Sequence, residues 1–390
     1  MPGNDFRRSQ LAIAALFCFL GFQYSSWAAR LPLLKTKLDL TPSELGVLLL
    51  ATGVGAAVSF PLVATLMRRM GSRNLSSVSA LVLVVILLAL AVVPNYPAAL
   101  AVMFCDGVAV ACLNVAMNAQ GAALEARYER TTMAKLHATF SGGNLVAALI
   151  ASLVTAVTPT LIAHFAVAAA ILVALLGYAR PGLLTTDLPA PERKSGGRLA
   201  LPSKTTAFLG LAMVFGTVTE GAMNDWSALY LKDIAHAAPE LAPMGIAVVS
   251  AMMVLARLFA DGWRDRWGDR RIVLIGASVA GCGLGLAVLA GGVVPALIGF
   301  ACVGLGMAAV TPVLYVAAAA EGPNALTLVA AMGTTGLLAG PPVIGFVTNA
   351  SSLVWGMATV AVSALLVSLC VAQVRLQPQQ SFVDTAENVQ

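Results

Sequence analysis

Runs of about 20 apolar residues recur from one end of the chain to the other, separated by short polar or charged segments. A run of this length matches a helix that crosses the hydrocarbon core of a bilayer, which is about 30 Å thick. The pattern predicts an all-α membrane protein with twelve transmembrane helices, at residues 10–30, 43–67, 75–93, 98–121, 136–157, 159–179, 205–231, 243–263, 272–290, 294–317, 325–348 and 352–373.

Composition agrees with this pattern, since 59% of the residues are hydrophobic and only 11% are charged. Soluble domains carry about 25% charged residues, so that class is excluded. The first run, from Leu11, lacks a small-residue cleavage pattern, which indicates a retained helix rather than a signal peptide. All six cysteines lie in apolar runs without a CxxC pair, so we expect packing residues rather than disulfides or metal ligands.

The basic residues are distributed unevenly between alternate loops. If the N-terminus is inside, 18 of the 23 lysines and arginines fall in inner loops and Arg257 falls within predicted helix 8. The four on the outer side are Arg30, Lys35, Lys37 and Lys232. This bias predicts a multi-pass membrane protein with both termini in the cytoplasm. It also accounts for the net charge of +5 without a nucleic-acid partner.

The chain divides near its middle at a segment rich in proline, glycine and charge, which is typical of a linker. Six predicted helices precede it and six follow. The predicted domains are an N-terminal six-helix bundle (1–179), a cytoplasmic linker (180–204), a C-terminal six-helix bundle (205–374) and a cytoplasmic tail (375–390).

A repeated loop motif relates the two halves. The R-x-G-x-R pattern follows predicted helix 2 and recurs 197 residues later, after helix 8. Parallel six-helix repeats are typical of one transporter architecture, with the binding site between the halves near the midplane. The residues of this gating-loop motif are Arg69, Gly71 and Arg73 in the first copy and Arg266, Gly268 and Arg270 in the second.

Both copies resemble the G-x-L-x-D-R-x-G-R-[KR] loop of the major facilitator superfamily. The second copy also has the aspartate, Asp265, whereas the first has Arg68 at that position. Further segments resemble the YbjJ-like subgroup of bacterial inner-membrane permeases, which is distantly similar to fucose-type sugar permeases. They are Trp27-Ala28-Ala29-Arg30-Leu31-Pro32, Asn118-Ala119-Gln120-Gly121-Ala122-Ala123-Leu124-Glu125, His137 with Ser141 and Gly143, Glu220-Gly221 with Asn224-Asp225-Trp226, and Thr334-Thr335-Gly336 with Gly340-Pro341-Pro342.

The resemblance implies a location in the bacterial inner membrane. It also implies alternating access by rocking of two halves, with helices 1, 4, 7 and 10 lining a central cavity. Polar residues concentrate on those four helices, while helices 3, 6, 9 and 12 have few. Buried amides and hydroxyls either bind cargo or bridge helices, and the two tryptophans are either stacking platforms or interface anchors. The substrate-cavity candidates are Gln23, Trp27, Arg30, Asn114, Asn118, Thr217, Asn224, Trp226, Thr311 and Tyr315; the last is the cavity aromatic if helix 10 breaks at Pro312.

Three carboxylates within the apolar runs are candidates for proton coupling: Glu220, Asp106 and Asp225. Each ionised group would cost roughly 2.5 kcal/mol or more at the bilayer centre, which points to a function. For Glu220 the alternatives are a structural hydrogen bond and direct substrate binding. For Asp106 the alternative to proton coupling is a local bond to a neighbouring helix. For Asp225 it is a role as a gate residue or a polar contact at the helix end.

On helix 8, Arg257 and Asp261 are four residues apart, a spacing suited to an ion pair. With Asp265 and Arg266 they are predicted to form an inner charge network that stabilises an outward-open state. His137 is predicted to make a helix-terminal hydrogen bond, with proton sensing as the alternative.

The sequence contains no P-loop, HExxH, serine-elbow or Cys/His-cluster motif, so we expect neither an enzyme nor a bound cofactor. It predicts a monomeric secondary transporter for a small polar solute, sugar-like or similar, coupled to protons and embedded in the lipid bilayer. The alternatives are a proton-driven multidrug or metabolite exporter of the same fold and, more remotely, a membrane enzyme or sensor.

Overall fold

The computed structural model describes residues 2–185 and 202–374, apart from a few side chains. The tail at 375–390 and linker residues 186–201 lie outside the described residues, so the predicted domain division stays a prediction. The described α-helices are α1 (Pro2–Ala28), α2 (Leu31–Leu38), α3 (Pro42–Val58), α4 (Phe60–Val92), α5 (Tyr96–Tyr128), α6 (Met133–Val157), α7 (Leu161–Ala179), α8 (Lys204–Asp233), α9 (Met244–Trp267), α10 (Asp269–Ala290), α11 (Val293–Met307), α12 (Val310–Ala320), α13 (Pro323–Ala350) and α14 (Leu353–Ala372).

The all-α membrane architecture predicted from the apolar runs is confirmed. By length and hydropathy, eleven described helices can cross a membrane, or twelve if α2 and α3, which are bent by 118°, count as one span. Helix α4 is interrupted at Gly71, whose φ of 72° and ψ of 164° are not helical. The part of α4 before Gly71 therefore continues α3, and the part after it forms predicted helix 3.

Two details differ from the sequence-based expectation. The short helix α2 was not predicted, because eight residues are too few to give a clear periodic pattern. Predicted helix 10 does break, into α11 and α12, but at Ala308 and Ala309 rather than at Pro312. Pro312 lies in the first turn of α12, where its missing N–H costs no helical hydrogen bond.

The two ends of the bundle are distinguished by the chain segments and contacts found there, and the end that carries the N-terminus is called the termini end. At the termini end, Phe6 packs on Tyr128, and Arg73 donates to the carbonyl of Arg180 at 3.3 Å. At the opposite end, called the α2 end, Lys37 donates to the carbonyl of Ala91 at 2.8 Å. We refer to α1–α7 as the N-terminal half and to α8–α14 as the C-terminal half.

The halves meet through α3 with α13, α6 with α9, and α2 with α8. The α3–α13 contact depends on glycine, because a Cβ at Gly46 would lie 2.9 Å from the carbonyl oxygen of Pro341. A Cβ at Gly345 would likewise lie 2.7 Å from that of Pro42. Close backbone approach of this kind is a common way for membrane helices to pack.

Candidate functional site

Glu220 lies on α8, opposite α12. Thr311 Oγ1 donates a hydrogen bond to Glu220 Oε1 at 3.4 Å. Arg257 on α9 and Tyr315 on α12 also interact electrostatically with this carboxyl group. The structure therefore brings two predicted cavity residues, Thr311 and Tyr315, to the Glu220 carboxyl group, and it adds Arg257, which was predicted for the inner charge network.

Arg257 links this cluster to the other half of the protein. Its Nη1 donates to Ser141 Oγ on α6 at 2.5 Å, so the bond joins α9 to α6. His137, one turn before Ser141, also interacts with the guanidinium. This contact differs from the predicted role of Arg257 in a network with Asp261 and Asp265, whose side chains lie outside the described residues.

Some of the polar side chains predicted to contact a solute are partly accessible to solvent. Asn114 is exposed, and Tyr315 is 37% exposed. Asn118 Nδ2 donates to both the backbone and the side-chain oxygen of Asn114, each at 2.8 Å, and Asn224 Nδ2 donates to the backbone oxygen of Glu220 at 3.1 Å. Each of these amide hydrogen bonds lies within its own helix, α5 or α8, which leaves the side chains available to a ligand.

Thr217 takes a different position. Its hydroxyl donates to the carbonyl of Gly333 on α13 at 2.9 Å and to carbonyls of its own helix. It thus joins α8 to α13 and is not part of the Glu220 cluster.

A second polar pair lies inside the N-terminal half. Gln23 Nε2 on α1 donates to Asp106 Oδ1 on α5 at 2.8 Å, and both side chains are buried. Asp106 Oδ2 and Gln23 Oε1 are buried without a hydrogen-bond partner. Buried polar atoms are nearly always hydrogen-bonded, so this pair has capacity for a proton or a water molecule.

At the α2 end, several contacts hold the two halves together. Tyr24 Oη donates to Asp225 Oδ1 at 2.7 Å, and Lys35 forms a salt bridge with Asp233 at 2.7 Å. Ser152 Oγ donates to the carbonyl of Glu240 at 2.5 Å. Tyr24 was not among the predicted residues, although it directly follows Gln23. These bonds close the α2 end in this conformation.

Trp27, Arg30 and Trp226 are not brought to the Glu220 cluster. They are only 3%, 4% and 1% exposed. Arg30 donates to Thr155 Oγ1 on α6 and to the carbonyls of Pro159 and Thr160, all inside the N-terminal half.

The two loop motifs share a backbone conformation. Gly71 has φ 72° and ψ 164°, and Gly268 has φ 79° and ψ 149°. Positive φ of this kind favours glycine, which explains its place in both copies.

The other residues of the motif differ in their contacts. Arg270 donates to the carbonyls of Ala372 and Val374, whereas Arg69 is exposed and Arg266 lies over the Trp267 ring. In the described part of the chain, no group of three or more His, Cys, Asp and Glu residues is placed to hold a metal ion.

Known proteins are similar to this chain over most of its length. Residues 11–325 match the family model described as Major Facilitator Superfamily. An uncharacterised MFS-type transporter of Yersinia pestis is 31% identical, covering 92% of this chain and 94% of its own length. The membrane protein MosC of Rhizobium meliloti is 30% identical, covering 88% of this chain and 84% of its own length.

A solved structure has the same fold. A point mutant of the nucleoside transporter NupG superposes with a TM-score of 0.73 over 94% of this chain and 99% of its own, at 13% identity. Identity this low is evidence for the fold alone. The matched family model, the relatives and the helical architecture agree that this chain is a membrane transporter and belongs to the Major Facilitator Superfamily.

Proposed function

We propose that this protein is a secondary transporter that moves a small polar solute by alternating access and couples its movement to protons at Glu220. The observation that carries the proposal is the link from Glu220 through Arg257 to Ser141. It connects a carboxyl group within an apolar helix to a contact between the two halves.

The link suggests how a proton would influence the conformation. A neutral Glu220 exerts little attraction on the guanidinium, which leaves Arg257 free to bond to Ser141 across the halves. An ionised Glu220 competes for the same guanidinium and weakens that bond. Protonation would then bias one arrangement of the halves, which is the requirement for coupling.

Asp106 is the second proposed proton site. It is 1% exposed, and its free Oδ2 can carry a proton while Oδ1 keeps the bond from Gln23. Asp225 is bonded to Tyr24 across the α2 end, which favours the gate alternative for this residue over proton coupling.

The cargo is proposed to bind beside Glu220. Amides from Asn114, Asn118 and Asn224, the hydroxyl of Thr311 and the ring of Tyr315 offer hydrogen bonds and one stacking surface. Such a set suits a small hydroxylated solute of the sugar type. With the termini end in the cytoplasm, as the basic residues predict, closure of the α2 end makes this an inward-facing state of an inner-membrane protein.

The test is proton movement in liposomes that contain the purified protein. Sugars, peptides, nucleosides and drugs are added in turn, and internal pH and solute uptake are recorded together. We expect one class to drive a proton flux that is lost in Glu220→Gln, and Glu129→Gln, a change to an exposed carboxyl outside the site, serves as the matched control.

The direction of flux also distinguishes the two transporter alternatives. Protons and solute moving together indicate a symporter, and opposite movement indicates an exporter. If solute flux stays equally pH-dependent in both Glu220→Gln and Asp106→Asn, the coupling assignment is wrong.

A further inference from the structure

Arg30 is a buried cation without a buried anion beside it. Arg30 lies just after the end of α1 and is 4% exposed. Its hydrogen-bond acceptors are a hydroxyl, Thr155 Oγ1, and two carbonyls, those of Pro159 and Thr160. Among the described residues no carboxylate forms a salt bridge with it, and its Nε has no partner. An arginine stays protonated in proteins, so a full positive charge is left uncompensated.

Two further polar side chains in this region have unused nitrogen atoms. His164 on α7 is fully buried, and neither ring nitrogen has a partner. The Thr160 carbonyl that accepts from Arg30 at 3.2 Å also accepts from the backbone N–H of His164 at 3.5 Å, so the two residues meet at the first turn of α7. The guanidinium and the imidazole also interact electrostatically.

Trp27 precedes Arg30 by three residues, and its carbonyl accepts the backbone N–H of Arg30 at 2.9 Å. The indole Nε1 is buried without a partner. An indole N–H can only donate, and a guanidinium Nε–H can only donate. The imidazole can also present an N–H. The unpartnered groups of Arg30, Trp27 and His164 can therefore all donate a hydrogen bond to an acceptor.

We propose that Arg30, His164 and Trp27 form a binding site for a small monovalent inorganic anion, with chloride as the representative. The anion would neutralise the guanidinium and accept from the unused N–H groups. The first turn of α7 adds favourable potential, because helix N-termini attract anions. The three side chains are 0% to 4% exposed, so a lipid headgroup or an organic carboxylate would not fit without opening the half.

This site is separate from the proposed proton and solute site. The bonds of Arg30 go to α6 and the α6–α7 connection, whereas the Glu220 cluster involves α8, α9 and α12. The anion therefore acts on the N-terminal half, and its presence or absence does not depend on whether Glu220 carries protons.

The experiment is thermal unfolding of the full-length protein in nanodiscs, with chloride exchanged for gluconate at constant ionic strength. We expect the melting temperature to rise with chloride and to saturate, because a ligand that binds only the folded state stabilises it in this way. In Arg30→Gln the apparent chloride affinity should fall at least about tenfold, because a charge-assisted hydrogen bond is lost. Arg68→Gln, at an exposed arginine, should keep the wild-type response.

A second pair of variants tests the site without removing the charge. Trp27→Phe should weaken the chloride response, while Trp355→Phe, at a tryptophan that is 64% exposed, should not. His164→Phe should weaken it as well, so the proposal remains testable if Arg30→Gln does not fold. Equal melting temperatures in chloride and gluconate would overturn the proposal and indicate buried water instead. An unchanged saturable response in Trp27→Phe and His164→Phe would place the anion elsewhere and would also overturn it.

Discussion

Closure of the α2 end is expected to depend most on one hydrogen bond, that from Tyr24 to Asp225. Tyr24→Phe removes the hydroxyl and keeps the ring, which packs edge-on against Trp27 with centroids 5.0 Å apart. The variant therefore tests the bond across the halves with little change to packing inside the N-terminal half.

The size of the effect follows from the geometry. The oxygens are 2.7 Å apart and partly buried, and a hydrogen bond to a charged group contributes about 1.5 to 3 kcal/mol. The neighbouring Lys35–Asp233 pair is 28% and 29% exposed, where such pairs contribute about 0 to 1 kcal/mol. Loss of about 2 kcal/mol should shift the ratio of closed to open α2 ends by about 30-fold.

The assay is a distance distribution between spin labels on Lys37→Cys and Ala238→Cys, in a background without the six native cysteines. In nanodiscs, Tyr24→Phe should increase the population with a long distance between the labels. The matched control is Tyr96→Phe, because Tyr96 Oη donates to the Glu44 carbonyl at 2.9 Å within the N-terminal half. An unchanged distribution in Tyr24→Phe, or an equal change in Tyr96→Phe, would refute the reasoning.

Two further predictions concern the surface pair and helix packing. Lys35→Asp should open the α2 end in the same distance measurement, because the introduced carboxylate repels that of Asp233. Adding Asp233→Lys should restore closure, and failure of this rescue would mean that the pair does not act between the halves. Gly107→Ala should lower the melting temperature, since the added Cβ would lie 1.8 Å from the carbonyl oxygen of Thr52. Gly177→Ala, where nothing lies within 4 Å of the new Cβ, should leave it unchanged or raise it, and similar shifts in both variants would contradict the packing argument.

Much of the architecture could be predicted from the chain because a membrane helix must satisfy its backbone hydrogen bonds internally. An apolar run is then nearly sufficient to identify a helix. For example, α8 at Lys204–Asp233 differs from the predicted range 205–231 by only one or two residues at each end. The ends of α1 and α5 were less predictable, since both continue past their apolar runs into polar sequence, to Pro2 and to Tyr128.

The sequence by itself determined the spans, the repeated glycine turns at Gly71 and Gly268, and the helices that carry Glu220 and Thr311. These features depend on local composition and on spacing along one helix. Tertiary structure alone decided that Arg257 bonds to Ser141, and that Tyr24 bonds to Asp225. Such pairs are 116 and 201 residues apart, and their contact depends on how the two halves pack and which end is closed. No periodicity in a single helix carries that information.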